Sequence, residues 1–258
     1  MRFADERVVV TGGTAGIGRA VAEAFLAEGA RVALCGRDAA AAAAVAHELD
    51  PSGERAVGLG CDVSAAAEVR RLFDEVEARW SGVDVLVNNA GTVTLDRCAE
   101  MPEDAWDLVM DVNVKGVFLC SRAALASMER AGRGAIVNVA SQAGKRGYPR
   151  LTHYCASKAA VIGFTRALAA EVAAGDIRVN AVCPGIVTTD MMEREYGWEQ
   201  EITGASREEI RQRFLDGIPL GRFQRPDDVA KAVLFLSSSD ASEVTGEAFN
   251  VTGGGVME

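Results

Sequence analysis

Clustered metal ligands, paired thiols, basic runs and long apolar runs are all missing from this chain of 258 residues, and each absence removes a class of function. Only two histidines occur, and the six cysteines (Cys35, Cys61, Cys98, Cys120, Cys155, Cys183) are dispersed without a CxxC pair. Zinc clusters and disulfide frameworks need ligands or thiols at close, repeated spacing, so no metal is expected and the thiols read as reduced and mostly buried. The formal net charge is −10, spread along the chain without a basic stretch. Neutralising phosphates takes clustered Lys and Arg, so nucleic acid is not an expected partner, and the acidic balance favours solubility. No apolar run reaches membrane-spanning length, so no membrane partner is expected. The stretch MRFADERVVV leads straight into a motif, with no room for the regions of a signal peptide, and a cytoplasmic protein is expected.

What is present suffices for one large core: 49% of residues are hydrophobic, 25% are charged, and no Pro/Gly/Ser-rich linker divides the chain. Residues 1–258 therefore read as a single domain. Short β-branched runs at Arg7 to Thr11, Arg31 to Cys35, Arg55 to Gly60, Val83 to Asn88, Ala135 to Ala140 and Ile177 to Cys183 alternate with stretches of helical period. That alternation predicts an α/β protein with a doubly wound parallel sheet. In the first helix Ile17, Val21, Ala24 and Phe25 share one face and Arg19, Glu23 and Glu28 the other, with Gly29 as the stop. The alanine-rich Ala39 to Ala44 continues with helical spacing through Val45, Ala46 and Leu49, and Pro226 opens another helix. Between about 188 and 220 the alternation breaks into a polar segment bearing Met191, Met192, Tyr196, Trp198 and Phe214, and a lid is expected there.

The chemistry-bearing residues fall at the carboxyl ends of the predicted strands, where open α/β sheets bind ligands. After the first strand comes Thr11-Gly12-Gly13-Thr14-Ala15-Gly16-Ile17-Gly18. Glycines there permit a tight turn, and the helix that follows offers free N–H groups to a pyrophosphate. The spacing is not the usual GxGxxG, and such a turn also serves a purely structural purpose. Asp62 in CDVS presents a carboxylate that can accept from an adenine amino group or cap the next helix. Asn88-Asn89-Ala90-Gly91 ends the fourth strand with small residues beside which a ribose fits and an amide that can tie strands together.

Tyr154-Cys155-Ala156-Ser157-Lys158 sets a phenol and an ammonium four residues apart, on one face of a helix. A nearby cation favours the phenolate and makes tyrosine a usable acid/base. Ser141, thirteen residues earlier, ends the fifth strand, positioned to donate to a substrate oxygen, and Asn113 in DVNVKG sits on a helix. The bland alternative is a surface Tyr–Lys pair with Ser141 as a helix cap.

TGGTAGIG, CDVS, NNAG, VNVKG, the Ser141 to Tyr154 spacing, YCASK, IRVNAVCPG and NVTGGG together resemble the short-chain dehydrogenases/reductases from end to end. The resemblance implies a Rossmann-type fold, with a nucleotide-binding half at about 1–140, a catalytic and substrate half at about 141–258, and NAD(P)-dependent interconversion of a ketone and a secondary alcohol. It implies Tyr154 as general acid/base, Lys158 holding ribose hydroxyls and lowering the tyrosine pKa, Ser141 polarising the carbonyl, and Asn113 holding a relay water. Gly12, Thr14, Gly16, Ile17 and Gly18 would surround the pyrophosphate. Arg37, Asp62, Val63, Asn89, Ala90, Gly91, Pro184, Gly185, Val187 and Thr189 would complete the cofactor site with Tyr154 and Lys158.

The second strand ends on Gly36, where NAD-preferring relatives carry an acid, and Arg37 next to it can face a 2′-phosphate. NADP-preferring relatives often add a basic residue in the glycine loop, here Ala15. NADP(H) is expected ahead of NAD(H). Substrate contacts are expected from Ser141, Gln142, Ala143, Tyr148, His153, Tyr154, Met191 and Trp198. The lid and the GIPLGRFQRPDDVA run that follows are similar to bacterial polyol, acetoin and ketoacyl members of the family. A reductase of acyl-carrier-bound 3-ketoacyl groups is the second reading, with Arg130, Arg133, Arg146 and Arg150 as its docking face, and a nucleotide-sensing protein the third. The resemblance further implies a homotetramer built through the helices at Val114 to Met128 and Tyr154 to Val172, with Ala123, Ala124, Ala167 and Ala170 allowing close approach.

Overall fold

The computed structural model describes residues 1–258. Seven strands form one sheet: β1 (Arg7–Thr11), β2 (Arg31–Gly36), β3 (Ala56–Gly60), β4 (Val85–Asn88), β5 (Gly134–Val139), β6 (Ile177–Pro184) and β7 (Ala248–Val251). Every neighbouring pair is parallel, in the order β3-β2-β1-β4-β5-β6-β7. The order reverses between β1 and β4, and the crevice outside their carboxyl ends is the place such sheets offer a ligand. The connections are helical: α1 (Gly16–Ala27), α2 (Ala39–Leu49), α3 (Ala66–Trp80), α4 (Glu103–Met110), α5 (Gly116–Ala131), α6 (Thr152–Val172), α7 (Asp190–Thr203), α8 (Arg207–Asp216) and α9 (Pro226–Ser237).

Side chains alternate across each strand, so the sheet feeds two cores. Val8 and Val10 of β1 pack with Phe25 of α1, Val45 of α2 and Val233 of α9 on one face. Val9 packs on the other with Leu72 of α3, Cys120 of α5 and Leu168 of α6. Each fully buried Val or Leu contributes about 1.5–3 kcal/mol relative to exposure.

The predicted parallel α/β sheet is the observed one, with local differences. β3 begins at Ala56 because the N–H groups of Arg55 and Ala56 donate to the Asp50 carboxylate, at 2.7 and 3.1 Å. β4 begins at Val85 because the Val83 N–H donates to Ser127 Oγ. The seventh strand was not expected; its four residues, AFNV, are too short and too half-buried to announce a period. The lid segment is two helices, α7 and α8, closed on each other by Met192, Tyr196 and Ile210 and by ion pairs of Glu193 with Arg207 and of Glu199 with Arg213.

Candidate active site

The glycine loop ends β1 in the left-handed region at Gly12 (φ 63°) and again at Gly16 (φ 53°). A Cβ on Gly12 would lie 2.9 Å from the Ala90 backbone, and one on Gly16 would lie 3.2 Å from Thr189 Cγ2. Bare backbone is therefore what the walls of this crevice admit. The N-cap of α1, Ala15, brings no side-chain oxygen, so the first-turn N–H groups remain available to an anion. These features fit a dinucleotide pyrophosphate. Gly18 has a different task from the one expected, since a Cβ there would meet Gly12 O at 2.2 Å: it brings α1 against the loop and does not line the crevice.

Asn89 fastens β4 to the loop by donating from Nδ2 to Thr11 O and Gly12 O at 3.0 and 2.9 Å. Asn88 ties β4 to β5 through Asn138 Oδ1 at 2.8 Å. Strand-tying amides are thus found as expected. A cavity of about 730 Å³ runs from the glycine loop to the lid. Its walls include Gly12, Gly16, Ile17, Asn89, Ala90, Gly91, Pro184, Gly185, Val187 and Thr189 of the expected cofactor set, and Ser141, Gln142, Ala143, Tyr148, Met191 and Trp198 of the expected substrate set, with Tyr154 and Lys158 between them.

Thr14, Arg37, Asp62 and Val63 lie outside that cavity. Thr14 packs beside Gly36, whose Cβ would come within 2.9 Å of Thr14 Cγ2. Arg37 is exposed and unpaired next to Asp38, whose carboxylate caps α2. Val63 is packed under Gly116. Asp62 neither closes β3 nor caps α3, whose N-cap is Ala65. Its carboxylate accepts from the N–H and Oγ of Ser64, at 2.9 and 2.7 Å, and these bonds hold it below the usual carboxylate range.

Tyr154 and Lys158 stand one turn apart on α6, and the Lys158 ammonium lies 5.7 Å from the Tyr154 ring centroid. It donates to Val139 O at 2.8 Å, which anchors it to the end of β5, and burial lowers its pKa to about 8. Burial raises the Tyr154 phenol well above its ordinary range, the Ser141 hydroxyl pulls it back, and the charge of Glu195 adds to the rise. Burial thus outweighs the help expected from Lys158, and the phenol stays protonated. Ser141 Oγ also accepts from Ala143 N at 3.1 Å, so the hydroxyl caps a short turn and faces Tyr154 at once.

Asn113 sits not in a regular helix but in a π turn, Asp111–Lys115, between α4 and α5. Such turns widen a helix and re-aim a side chain. Asn113 is buried, accepts from Thr92 N at 2.8 Å, and donates to Thr92 O and Ser157 Oγ at 2.9 and 3.0 Å. A Cβ on Gly91 would lie 3.4 Å from Asn113 Oδ1 and 3.6 Å from Lys158 Nζ, so both side chains border this glycine.

His153 is not a substrate contact. It is fully buried outside the lining of the cavity, with Nε2 2.7 Å from Thr94 Oγ1, whose hydroxyl donates to Asp96. The expected docking face of four arginines does not form either. Arg130 and Arg133 pair with Glu77 and Asp84 at the amino edge of the sheet, while Arg146 and Arg150 stand at the cavity on the carboxyl edge. Within the expected lid, Arg213, Phe214, Ile218 and, above all, Glu195 also line the cavity, without having been singled out as contacts. Glu195 shares a helical face with Met191 and Trp198, which was the signal available for it.

A doubly wound parallel sheet with a glycine cradle at its switch point and a Tyr–Lys–Ser group in the cavity beside it defines a dinucleotide-dependent oxidoreductase. Residues 6–200 match the short chain dehydrogenase family, and the chain belongs to that family. It is an NAD(P)-dependent enzyme interconverting a ketone and a secondary alcohol. It is 43% identical over 254 residues to 2-(S)-hydroxypropyl-CoM dehydrogenase 3 of Xanthobacter autotrophicus, covering 98% of this chain and 97% of that one. It is 37% identical over 257 residues to the 3-oxoacyl-[acyl-carrier-protein] reductase FabG of Thermotoga maritima, covering 100% of both. Among solved structures, a tryptophan variant of the actinorhodin polyketide ketoreductase with NADPH superposes with a TM-score of 0.93 at 40% identity over 97% of each chain.

Proposed function

We propose that this protein is an NADPH-dependent reductase of small ketones in which Tyr154 is the proton donor, Ser141 binds the carbonyl oxygen, and Lys158 and Asn113 hold the proton path behind them. The observation that carries the reading is the convergence of a protonated Tyr154 with Ser141 in one cavity, with Lys158 bonded to Val139 O at the end of β5. Gly91, Pro184, Gly185, Val187 and Thr189 would hold a nicotinamide, which when bound would supply the hydride. Ser141 donates to the carbonyl oxygen and the Tyr154 hydroxyl gives it a proton, for which a phenol held protonated by burial is suited. Lys158 takes the ribose hydroxyls, and its ammonium, charged below about pH 8, steadies the phenolate that remains. Coenzyme-linked turnover of a panel of ketones and secondary alcohols, with both NADPH and NADH, tests this; no turnover of any member and no binding of either coenzyme overturns it.

The preference for NADPH is supported by the unpaired, exposed Arg37 after Gly36, a place without an acid for a ribose 2′-hydroxyl, and by the NADPH-bound ketoreductase to which the chain is similar. Arg37→Ala is expected to weaken NADPH by about 1–3 kcal/mol and leave NADH affinity nearly unaltered. Equal losses for the two in a fluorescence titration would show that Arg37 reads no phosphate.

The acyl-carrier reading draws support from the Thermotoga relative, but only Arg146 and Arg150 remain at the mouth for an acidic carrier, and a small free ketone is the reading favoured. We further propose a homotetramer, in the cytoplasm, built on the outer faces of α5 and α6. Phe118, Gly163, Ala167 and Ala170 are exposed there, whereas Ala124 is packed inside the domain. Light scattering at micromolar concentration is expected to give four chains; a fully active monomer would refute the assembly.

A further inference from the structure

One wall of the cavity is a stripe of α7 in which Met191, Glu195, Trp198 and Ile202 recur at helical spacing. The neighbouring stripe, Met192 and Tyr196, packs against Ile210 of α8 and holds the helix in place without help from Glu195. Two neighbouring acids of this helix are paired. Glu193 bonds Arg207, and Glu199, which lines the same cavity, is matched by Arg213. The Arg194 guanidinium lies 6.0 Å from the Trp198 ring centroid, and its charge offsets only part of the effect of burial on Glu195.

Glu195 has neither a hydrogen bond nor an ion pair and, unlike the exposed Asp190 and Glu201, it is partly buried, in the wall of the cavity. Desolvation pushes its carboxyl up to about 7, and its charge is felt by both Tyr148 and Tyr154 across the cavity. Leaving a desolvated carboxylate unpaired is unfavourable, and an apolar residue in its place would cost nothing of the fold's other contacts. A carboxylate in that position makes sense where the partner arrives with the substrate. Arg146 does not supply it, since its guanidinium lies over the Tyr148 ring at 5.6 Å, on the exposed rim.

We propose that Glu195 is a specificity-determining residue that accepts a hydrogen bond from a donor group of the substrate, a hydroxyl or an ammonium carried on a carbon away from the carbonyl reduced at Tyr154. This rests on the ketone-reductase reading and narrows its substrate class: donor-bearing ketones are favoured, and ketones with a carboxylate at that position are repelled.

The test uses the full chain and a matched series of ketones of one skeleton: plain, hydroxyl-bearing, ammonium-bearing and carboxylate-bearing. Wild type is expected to prefer the hydroxyl or the ammonium member over the plain one by about ten-fold or more in kcat/KM, and to disfavour the carboxylate. Glu195→Leu is expected to collapse the ratio of donor-bearing to plain ketone toward one. Glu195→Gln separates the two donors, because it still accepts from a hydroxyl but no longer attracts a cation. A plain ketone turned over as well as the donor-bearing members, or variants that lower all members by the same factor, would overturn the role of Glu195 and leave the reductase reading standing. Turnover of no member with either coenzyme removes the reductase reading, and the inference with it.

Discussion

Tyr154→Phe is expected to lower kcat for ketone reduction by about 10²–10⁴-fold, the range general acid catalysis supplies. The substitution removes one oxygen and keeps the ring, so the wall between the coenzyme crevice and the lid retains its shape. Lys158 remains bonded to Val139 O, and the glycine cradle of Gly12 and Gly16 is untouched. Coenzyme affinity is therefore expected to stay near that of wild type. Stopped-flow turnover alongside a fluorescence titration reads the two quantities separately. Wild-type-like rates in the variant would remove Tyr154 from the proton step, and a matching loss of coenzyme binding would make it a structural residue instead.

Lys158→Ala is expected to act on both quantities. The ammonium is bonded to Val139 O, stands with Asn113 beside Gly91, and faces the Tyr154 ring, so one deletion removes an anchor, a charge and the ribose contact proposed above. The depressed pKa shows that burying the ammonium works against folding, so the loss is expected in coenzyme binding and turnover and not as a fall in Tm. The sign of the pH dependence follows from the lowered pKa of about 8. Below it the ammonium is present and supports reduction; as pH rises through it the charge is lost and the rate falls. That alkaline limb should vanish in Lys158→Ala, whose residual rate should be flat across the same range. A limb that persists unchanged belongs to another group.

The way these residues come together separates two kinds of information. The alternation of Val-rich runs with helical period was enough for the parallel sheet, because burial on both faces of a strand and on one face of a helix writes a period into the chain. Gly12 and Gly16, and the Tyr154 to Lys158 spacing, were legible for the same reason: a local backbone need and a single helical turn are short-range facts. β7 was not, since a four-residue edge strand carries no period of its own.

Tertiary structure alone decided what each polar group is paired with. His153 lies one residue from Tyr154 in sequence, yet the helix turns it into the interior toward Thr94. Asp62 is spent on Ser64 within its own turn, and Arg130 and Arg133 are taken by acids at the wrong edge of the sheet. Asn113 reaches its position through a π turn that propensities do not encode. Glu195 is one of several lid acids in the sequence and becomes distinct only in the fold, where Glu193 and Glu199 find arginines, Asp190 and Glu201 stay exposed, and Glu195 is partly buried without a partner. Periodicity reports which face of an element is covered; charge pairing and pKa depend on contacts between residues far apart in the chain and on the water they exclude.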